Sequence, residues 1–266
     1  MAAKTRLDAL LVERGLYESR SRAAAAVLAG DVQLEHGPGR PPKPGQLVAH
    51  DVGIRVHHGP RYVSRGGVKL ANALDALGLD PRGRRCLDVG ASTGGFTDCL
   101  LERGAESVVA VDVAYGELAW RLREDERVTV FERMNARSLR PEVLPHVPDL
   151  AVLDLSFISL TKVLGAVIAC LEPRRFDALA LVKPQFELGR ERVGRGGVVR
   201  DAAARREALV AVARHAREEL GCAVLGFASS GLPGPAGNRE SFVWLAEGGR
   251  ARAVDDLAAA ARSAEP

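Results

Sequence analysis

Cys86-Leu-Asp-Val-Gly-Ala-Ser-Thr-Gly-Gly-Phe-Thr97 constrains the fold more than any other stretch of the chain. A short apolar run meets three glycines, Gly90, Gly94 and Gly95, and a helix-like segment follows to Arg103. Strand, glycine-rich turn and helix form the nucleoside- or phosphate-cradling corner of a doubly wound α/β sheet. The spacing is G-x-x-x-G-G rather than G-x-G-x-x-G, because Ser92 stands where a dinucleotide site has its second glycine. That glycine lets backbone approach a pyrophosphate, so its replacement points to a ligand without one.

The rest of the chain from Arg85 onward repeats the alternation that this corner requires. Apolar runs predict strands at Arg85–Val89, Ser107–Asp112, Val128–Phe131, Leu150–Leu153, Leu179–Val182, Ala223–Ala228 and Phe242–Leu245. Helical periodicity falls between them, at Gly95–Arg103, Glu117–Arg123, Leu160–Leu171 and Ala202–Leu220, and Val68–Leu77 precedes them all. Such a succession folds as a mostly parallel sheet covered on both faces. Only a loop joins the last two strands, which makes them antiparallel neighbours.

The first sixty residues read differently. Leu7, Leu10 and Leu11 share one helical face, Gly15 stops that helix, and Ser19 can cap a second one that ends at Gly30. Small strands at Val32–Leu34 and Val52–Val56, with a turn over Pro38–Gly45, complete a compact α/β unit. Residues 1–65 hold 10 Lys and Arg against 6 Asp and Glu, whereas the remainder holds 27 against 28. A basic module before a near-neutral body suits a polyanionic partner, although a merely solvated basic face has the same composition. Arg20 and Arg22 open the second helix, where free N–H groups and guanidinium groups can meet phosphates together.

Arg6-Leu-Asp-x-Leu-Leu-Val-Glu-Arg-Gly-Leu16, Ser19-Arg-Ser-Arg22 and Leu28-Ala-Gly-Asp-Val32 resemble the S4 RNA-binding domain. The resemblance implies contacts to structured RNA through Lys4, Arg6, Arg20 and Arg22, with Arg65 beyond the module. The expected division is an S4 domain over 1–59, a linker over 60–67 carrying Pro60 and the Gly66-Gly67 pair, and a second domain over 68–266.

In a doubly wound sheet the ligand lies beyond the carboxyl ends of the strands. Asp112 ends the second strand, 22 residues after Gly90, the distance at which an acid accepts from a ribose diol. A nucleoside-bearing ligand without a pyrophosphate, such as S-adenosylmethionine, fits Ser92 and Thr93. The alternative is a set of glycines serving helix–strand packing beside a solvated aspartate. The wording of the turn is very similar to the first motif of the FtsJ-like 2′-O-ribose methyltransferases. By that resemblance the cofactor contacts are Gly90, Ala91, Ser92, Thr93, Gly94, Gly95, Phe96, Thr97, Asp112 and Asp154.

Two further polar residues end apolar strands at the same sheet edge: Asp154, after Leu150-Ala-Val-Leu153, and Lys183, after Leu179-Ala-Leu-Val182. A salt bridge closing the edge would also account for Lys183. Ser64-Arg-Gly-Gly-Val-Lys-Leu70, Asp154-Leu-Ser-Phe-Ile-Ser-Leu160, Val182-Lys-Pro-Gln-Phe-Glu187 and Gly237-Asn-Arg-Glu-Ser-Phe242 resemble the TlyA-type (haemolysin-A-like) ribosomal RNA methyltransferases. With the S4 module, the likeness covers almost the whole chain. It implies a Rossmann-like class I methyltransferase sheet with its last strand antiparallel. It also implies a catalytic tetrad of Lys69, Asp154, Lys183 and Glu240, and transfer to a cytidine ribose of ribosomal RNA.

The chemistry agrees with those residue types. A ribose 2′-hydroxyl must lose its proton as it attacks a sulfonium methyl group. An ordinary lysine, with a pKa of about 10.4, is a poor base at neutral pH, but a second lysine and a sulfonium nearby lower it. Lys183 is thus expected as base or hydroxyl activator, Lys69 and Glu240 as positioning groups, and Asp154 beside the methionine end of the cofactor. The competing reading is a non-catalytic RNA-binding protein on the same fold; a nucleotide-dependent oxidoreductase is disfavoured by Ser92. Arg190, Arg192 and Arg195, set among glycines 189–197, suit either a loop that closes over RNA or an ordinary surface loop.

Exclusions follow from what the sequence does not contain. No apolar run approaches the ~20 residues that span a bilayer, and no secretory h-region follows the first residues, so the "haemolysin" label of the relatives implies no lytic segment here. Cys86, Cys99, Cys170 and Cys222 have no C-x-x-C pairing, which predicts buried thiols in a reducing cytoplasm and no metal site.

Overall fold

The computed structural model describes residues 4–17, 19–29, 31–35, 42–56 and 61–265. Gly30, residues 38–41 of the expected turn, residues 57–59 at the end of the expected first domain and Pro60 of the expected linker lie outside the described residues. The chain divides into two compact units, Met1–Arg61 and Tyr62–Pro266.

In the first unit β1 (Lys4–Arg6) runs into α1 (Leu7–Glu13), followed by α2 (Arg20–Ala29), β2 (Val32–Leu34), β3 (Leu47–Ala49) and β4 (Ile54–Val56). β1 pairs antiparallel with β3, and β2 with β4. Leu7, Leu10 and Leu11 bury the face that their spacing defines, against Ala23, Val27, Val32 and Val48. Two strands at residues 4–6 and 47–49 were not expected, and Arg6, at the head of the expected helix, is an extended N-cap with φ −66° and ψ 139°. Strands of three residues are too short for an alternation to be read from them.

The second unit opens with α3 (Arg65–Leu77), capped by Ser64, whose hydroxyl accepts from the Gly66 N–H, and ended by left-handed Gly78. Residues 65–67, read as linker, therefore form its first turn. The glycines there allow close packing, since a Cβ on Gly67 would stand 2.3 Å from the Tyr62 ring. There follow β5 (Arg85–Val89), α4 (Gly95–Glu102), β6 (Ser107–Val111), α5 (Trp120–Arg123), β7 (Val128–Phe131), β8 (Leu150–Leu153), α6 (Leu164–Ile168), β9 (Asp177–Val182), α7 (Pro184–Glu187), α8 (Ala202–Glu218), β10 (Ala223–Ser229), β11 (Ser241–Ala246) and α9 (Leu257–Ala264).

These strands form one seven-stranded sheet in the order β10-β11-β9-β8-β5-β6-β7. β9, β8, β5, β6 and β7 pair in parallel, whereas β11 is antiparallel to both β9 and β10. The order reverses between β8 and β6, on either side of β5, which places the topological switch point at the glycine turn. Both faces are covered, as the unbroken apolar strands demand. Leu87, Val89, Val109 and Leu153 pack beneath α6, α8 and α9. Cys86, Val108, Ala110 and Val152 face α3 and α4. Two helices are shorter than their periodicity suggests. Glu117–Arg123 contributes only the four residues of α5, because Gly116 is left-handed (φ +76°) and Ala119, the non-helical N-cap, donates its N–H to the Thr93 carbonyl of the glycine turn. Leu160–Leu171 breaks at Val163, φ −123°, into a 3₁₀ turn and α6.

Candidate active site

The carboxyl ends of β5, β8 and β9 lie side by side and present Gly90, Asp154 and Lys183 along one edge. Glu240 reaches that edge from the other direction. The antiparallel register pairs Ser241 with Val182, so the residue before β11 stands beside the residue after β9. Lys69 comes from α3, whose first turn is pressed onto the start of α4: a Cβ on Gly95 would stand 2.9 Å from the Gly67 nitrogen. Five separate segments thus converge at the switch point.

The four candidate tetrad residues form two ion pairs. Lys69 Nζ donates to Glu240 Oε2, and both side chains are buried. Gly234 packs directly over the other Glu240 oxygen, which has no partner among the described residues. Lys183 Nζ stands 2.6 Å from Asp154 Oδ1 and donates to Ser156 Oγ at 2.9 Å. Lys69, Lys183, Asp154 and Ser156 line a cavity of about 310 Å³ together with Arg65, Gly90 and Ser92.

A second cavity, of about 490 Å³, lies on the other side of Gly90, Ser92, Asp154 and Ser156, which line both. Asp112, Glu117, Met134 and Asn135 form its far wall. Its volume falls in the range of small-molecule sites. Gly90 has φ +87°, and a Cβ there would come within 2.5 Å of the Asp154 carbonyl oxygen, so only glycine lets the two strand ends approach. Ser92 occupies the left-handed region without being glycine, at φ +47°. Its N–H donates to Asp112 Oδ2 at 2.7 Å, and Ala114 N–H donates to Asp112 Oδ1 at 2.8 Å. Asp112 therefore pins the glycine turn as well as lining the cavity.

Beneath the turn, Asp88 is fully buried and accepts from Thr97 Oγ1 at 2.6 Å, while its other oxygen has no partner among the described residues. Burial pushes its carboxyl up to about 7; the Thr97 hydrogen bond opposes this, and the charges of Asp154 and Asp112 add to it. Thr97, expected at the cofactor, faces this carboxyl and is fully buried; neither it nor Gly94 lines either cavity. Gly94 instead makes room for Leu122, which a Cβ would meet at 2.3 Å.

The charges expected to meet RNA lie on the surface of their units: Lys4, Arg6, Arg20 and Arg22 in the first, Arg65 in the second. Arg6 Nε and Nη2 donate to Asp8 at 3.1 and 2.7 Å, and Arg20 reaches the same carboxylate at 3.4 Å. Of the 189–197 loop, Arg192 is paired with Glu207 on α8.

Sequence reasoning missed Ser156, Phe157 and Glu187. Phe157 is 91% exposed, holds φ +66° and stacks against Phe186 with centroids 5.3 Å apart. An exposed phenylalanine in a left-handed conformation has no periodicity to betray it, although Phe157 lies within a quoted motif. Glu187 binds the Leu160 N–H and the Ser159 hydroxyl at 2.8 and 2.6 Å, and burial raises its carboxyl above the ordinary range. Among the described residues no group of three or more His, Cys, Asp or Glu could hold a metal ion, and no helix is long and apolar enough to cross a membrane.

The family model of FtsJ-like methyltransferases matches residues 62–247. The 16S/23S rRNA (cytidine-2′-O)-methyltransferase TlyA of Mycobacterium tuberculosis is 51% identical over 247 residues, 92% of this chain and 91% of that protein. Hemolysin A of Brachyspira hyodysenteriae is 41% identical over 197 residues, 74% of this chain and 81% of that one. A solved structure from Streptococcus thermophilus that carries a hemolysin name is similar with a TM-score of 0.71 at 36% identity, covering 99% of this chain and 96% of that one.

Proposed function

The chain belongs to the FtsJ-like methyltransferases, and on that premise we propose that it transfers a methyl group from S-adenosylmethionine to the 2′-hydroxyl of a cytidine in ribosomal RNA. The observation that carries the reading is the pair of lysines, Lys69 and Lys183, on the wall of one cavity, each held by its own carboxylate, with a second cavity across the Gly90–Asp154 rim.

The 490 Å³ cavity fits the cofactor. Asp112, at its far wall, keeps lone pairs for a ribose diol after accepting from Ser92 and Ala114. Asp154, on the shared rim, suits a cationic methionine end. Bound S-adenosylmethionine supplies a methyl group on a sulfonium sulfur, a leaving group that departs as a neutral thioether.

The protein's own residues do the rest. The RNA ribose enters the 310 Å³ cavity, with Arg65 at its rim facing phosphate. Lys183, in its neutral form, takes the hydroxyl proton at Nζ as the oxygen attacks, and Asp154 stabilises the ammonium that results. Lys69, clamped by Glu240, donates toward the ribose. Holding hydroxyl and methyl group in line across the rim supplies much of the rate by proximity. In the first unit Lys4, Arg6, Arg20 and Arg22 contribute sequence-independent affinity for folded RNA. A cytoplasmic location belongs to the same reading.

The test is transfer of labelled methyl groups from S-adenosylmethionine to purified ribosomal subunits, followed by nuclease digestion and mass spectrometry. The expected product is 2′-O-methylcytidine with wild-type protein and none with Lys183→Ala. Methylation of a base, or undiminished ribose methylation by Lys183→Ala, overturns the reading.

A further inference from the structure

Lys183 Nζ has two polar contacts, an ion pair with Asp154 and a hydrogen bond to Ser156, and only the first belongs to the tetrad. Asp154 Oδ1 lies at 2.6 Å and Ser156 Oγ at 2.9 Å. A lysine amine is tetrahedral about nitrogen. The ion pair with Asp154 sets where the amine sits, the hydrogen bond to Ser156 commits one N–H direction, and Lys183 lines the 310 Å³ cavity. With Asp154 alone, the amine would turn freely about that one contact.

The backbone that carries Ser156 is held in place at a cost. Phe157, the next residue, has φ +66°, a conformation that costs a bulky side chain of order 1–3 kcal/mol and persists only where its surroundings over-determine it. Those surroundings are the segment directly after Lys183. Glu187 accepts from Ser159 Oγ at 2.6 Å and from the Leu160 N–H at 2.8 Å, and the Phe186 ring lies against Phe157. The loop after Asp154 is thereby tied to the turn after Lys183 at two points, and the strained residue lies between the tie and Ser156. The side chain so placed is itself exposed, so packing does not explain why the loop is held this way.

We propose that Ser156 is a positioning residue for methyl transfer, the hydrogen-bond acceptor that aims the Lys183 amine at the ribose hydroxyl, and that Glu187 holds it there. The proposal rests on the reading of Lys183 as the group that takes the hydroxyl proton. In the neutral amine one N–H is held by Ser156 Oγ while the amine rests beside Asp154, and the lone pair takes a direction left open toward the incoming hydroxyl. Ser156 also lines the cofactor cavity, and that is the rival role from which it must be distinguished.

The experiment measures steady-state transfer to ribosomal subunits by Ser156→Ala, Ser156→Thr and Lys183→Ala, with affinity for S-adenosylhomocysteine measured by calorimetry for each. Ser156→Ala is expected to lower kcat about tenfold, the size of one lost hydrogen bond, with cofactor affinity and KM for RNA unchanged. Ser156→Thr, which keeps the hydroxyl, is expected to restore kcat. Wild-type kcat in Ser156→Ala, a loss abolished by saturating cofactor, or no rescue by threonine overturns the proposal. Lys183→Ala separates it from the functional reading: turnover retained in Lys183→Ala removes the reading beneath it. Turnover lost there but retained in Ser156→Ala removes the positioning role alone.

Discussion

Lys69 Nζ donates to Oε2 of Glu240, 171 positions further along the chain, with both side chains buried. The pair joins the helix before the first strand of the sheet to the start of its antiparallel strand. A buried ion pair of this kind is weak evidence for stability, because desolvation offsets most of the attraction, but breaking it by removing one partner leaves a charge stranded.

A double-mutant cycle reads that asymmetry. Lys69→Met and Glu240→Leu are each expected to destabilise by about 3–5 kcal/mol, and the double variant by clearly less than their sum. Chemical denaturation of the four proteins gives the coupling. Additive losses would mean that the two charges do not depend on each other.

Asp88 makes stability depend on pH in an unusual direction. An aspartate in the unfolded chain titrates near 3.9, whereas burial raises the folded group to about 7. Between those values the folded protein keeps a proton that the unfolded chain has released, so stability contributed by this group falls as pH rises from about 4 to about 7 and then levels. Asp88→Asn keeps an acceptor for Thr97 and has nothing to ionise. Its melting temperature relative to wild type is expected to rise between pH 5 and pH 8. An offset that is the same at both pH values would show that Asp88 is ionised throughout.

Gly90 tests whether the two cavities depend on one close approach. Alanine there meets both an unfavourable φ of +87° and a Cβ 2.5 Å from the Asp154 carbonyl oxygen. Gly90→Ala is expected to lose about 1–3 kcal/mol of stability and to weaken S-adenosylhomocysteine binding at least tenfold, because Asp154 must move. Calorimetric binding with wild-type affinity would show that the rim tolerates displacement.

Sequence and structure agree where one local rule decides the outcome. Val128–Phe131 and Leu150–Leu153 coincide with their apolar runs, and Arg85 to Gly95 fold as strand, turn and helix start. The tetrad positions came from resemblance rather than from spacing: nothing local in Ser64–Leu74 or Gly237–Phe242 reveals that Lys69 will meet Glu240. That contact depends on the antiparallel register of β11. Ser156 and Glu187 were illegible for a related reason, since their roles arise from a loop folded back on the following strand end. Thr97 misled because the motif is continuous in sequence, whereas the helix it starts turns that hydroxyl inward to Asp88.

In the first unit Asp8 is 4% exposed and receives Arg6 at 2.7 Å but Arg20 only at 3.4 Å. The Arg6 hydrogen bond, opposed by burial and assisted by Arg20, holds the Asp8 carboxyl at about 2. Its stabilising contribution is present above the unfolded value near 3.9 and is lost as pH falls toward 2. Removing Arg6 would strand that carboxylate and confuse a folding defect with a binding defect. Arg20→Ala leaves the stronger Arg6 contact in place, so the melting temperature at pH 7 is expected to stay close to wild type. If Arg20 meets a phosphate, its loss should weaken binding to ribosomal RNA at low salt. The slope of log affinity against log salt should then fall by about one unit. Affinity measured across a salt series decides it. A slope equal to wild type, with folding intact, would remove Arg20 from the RNA contact.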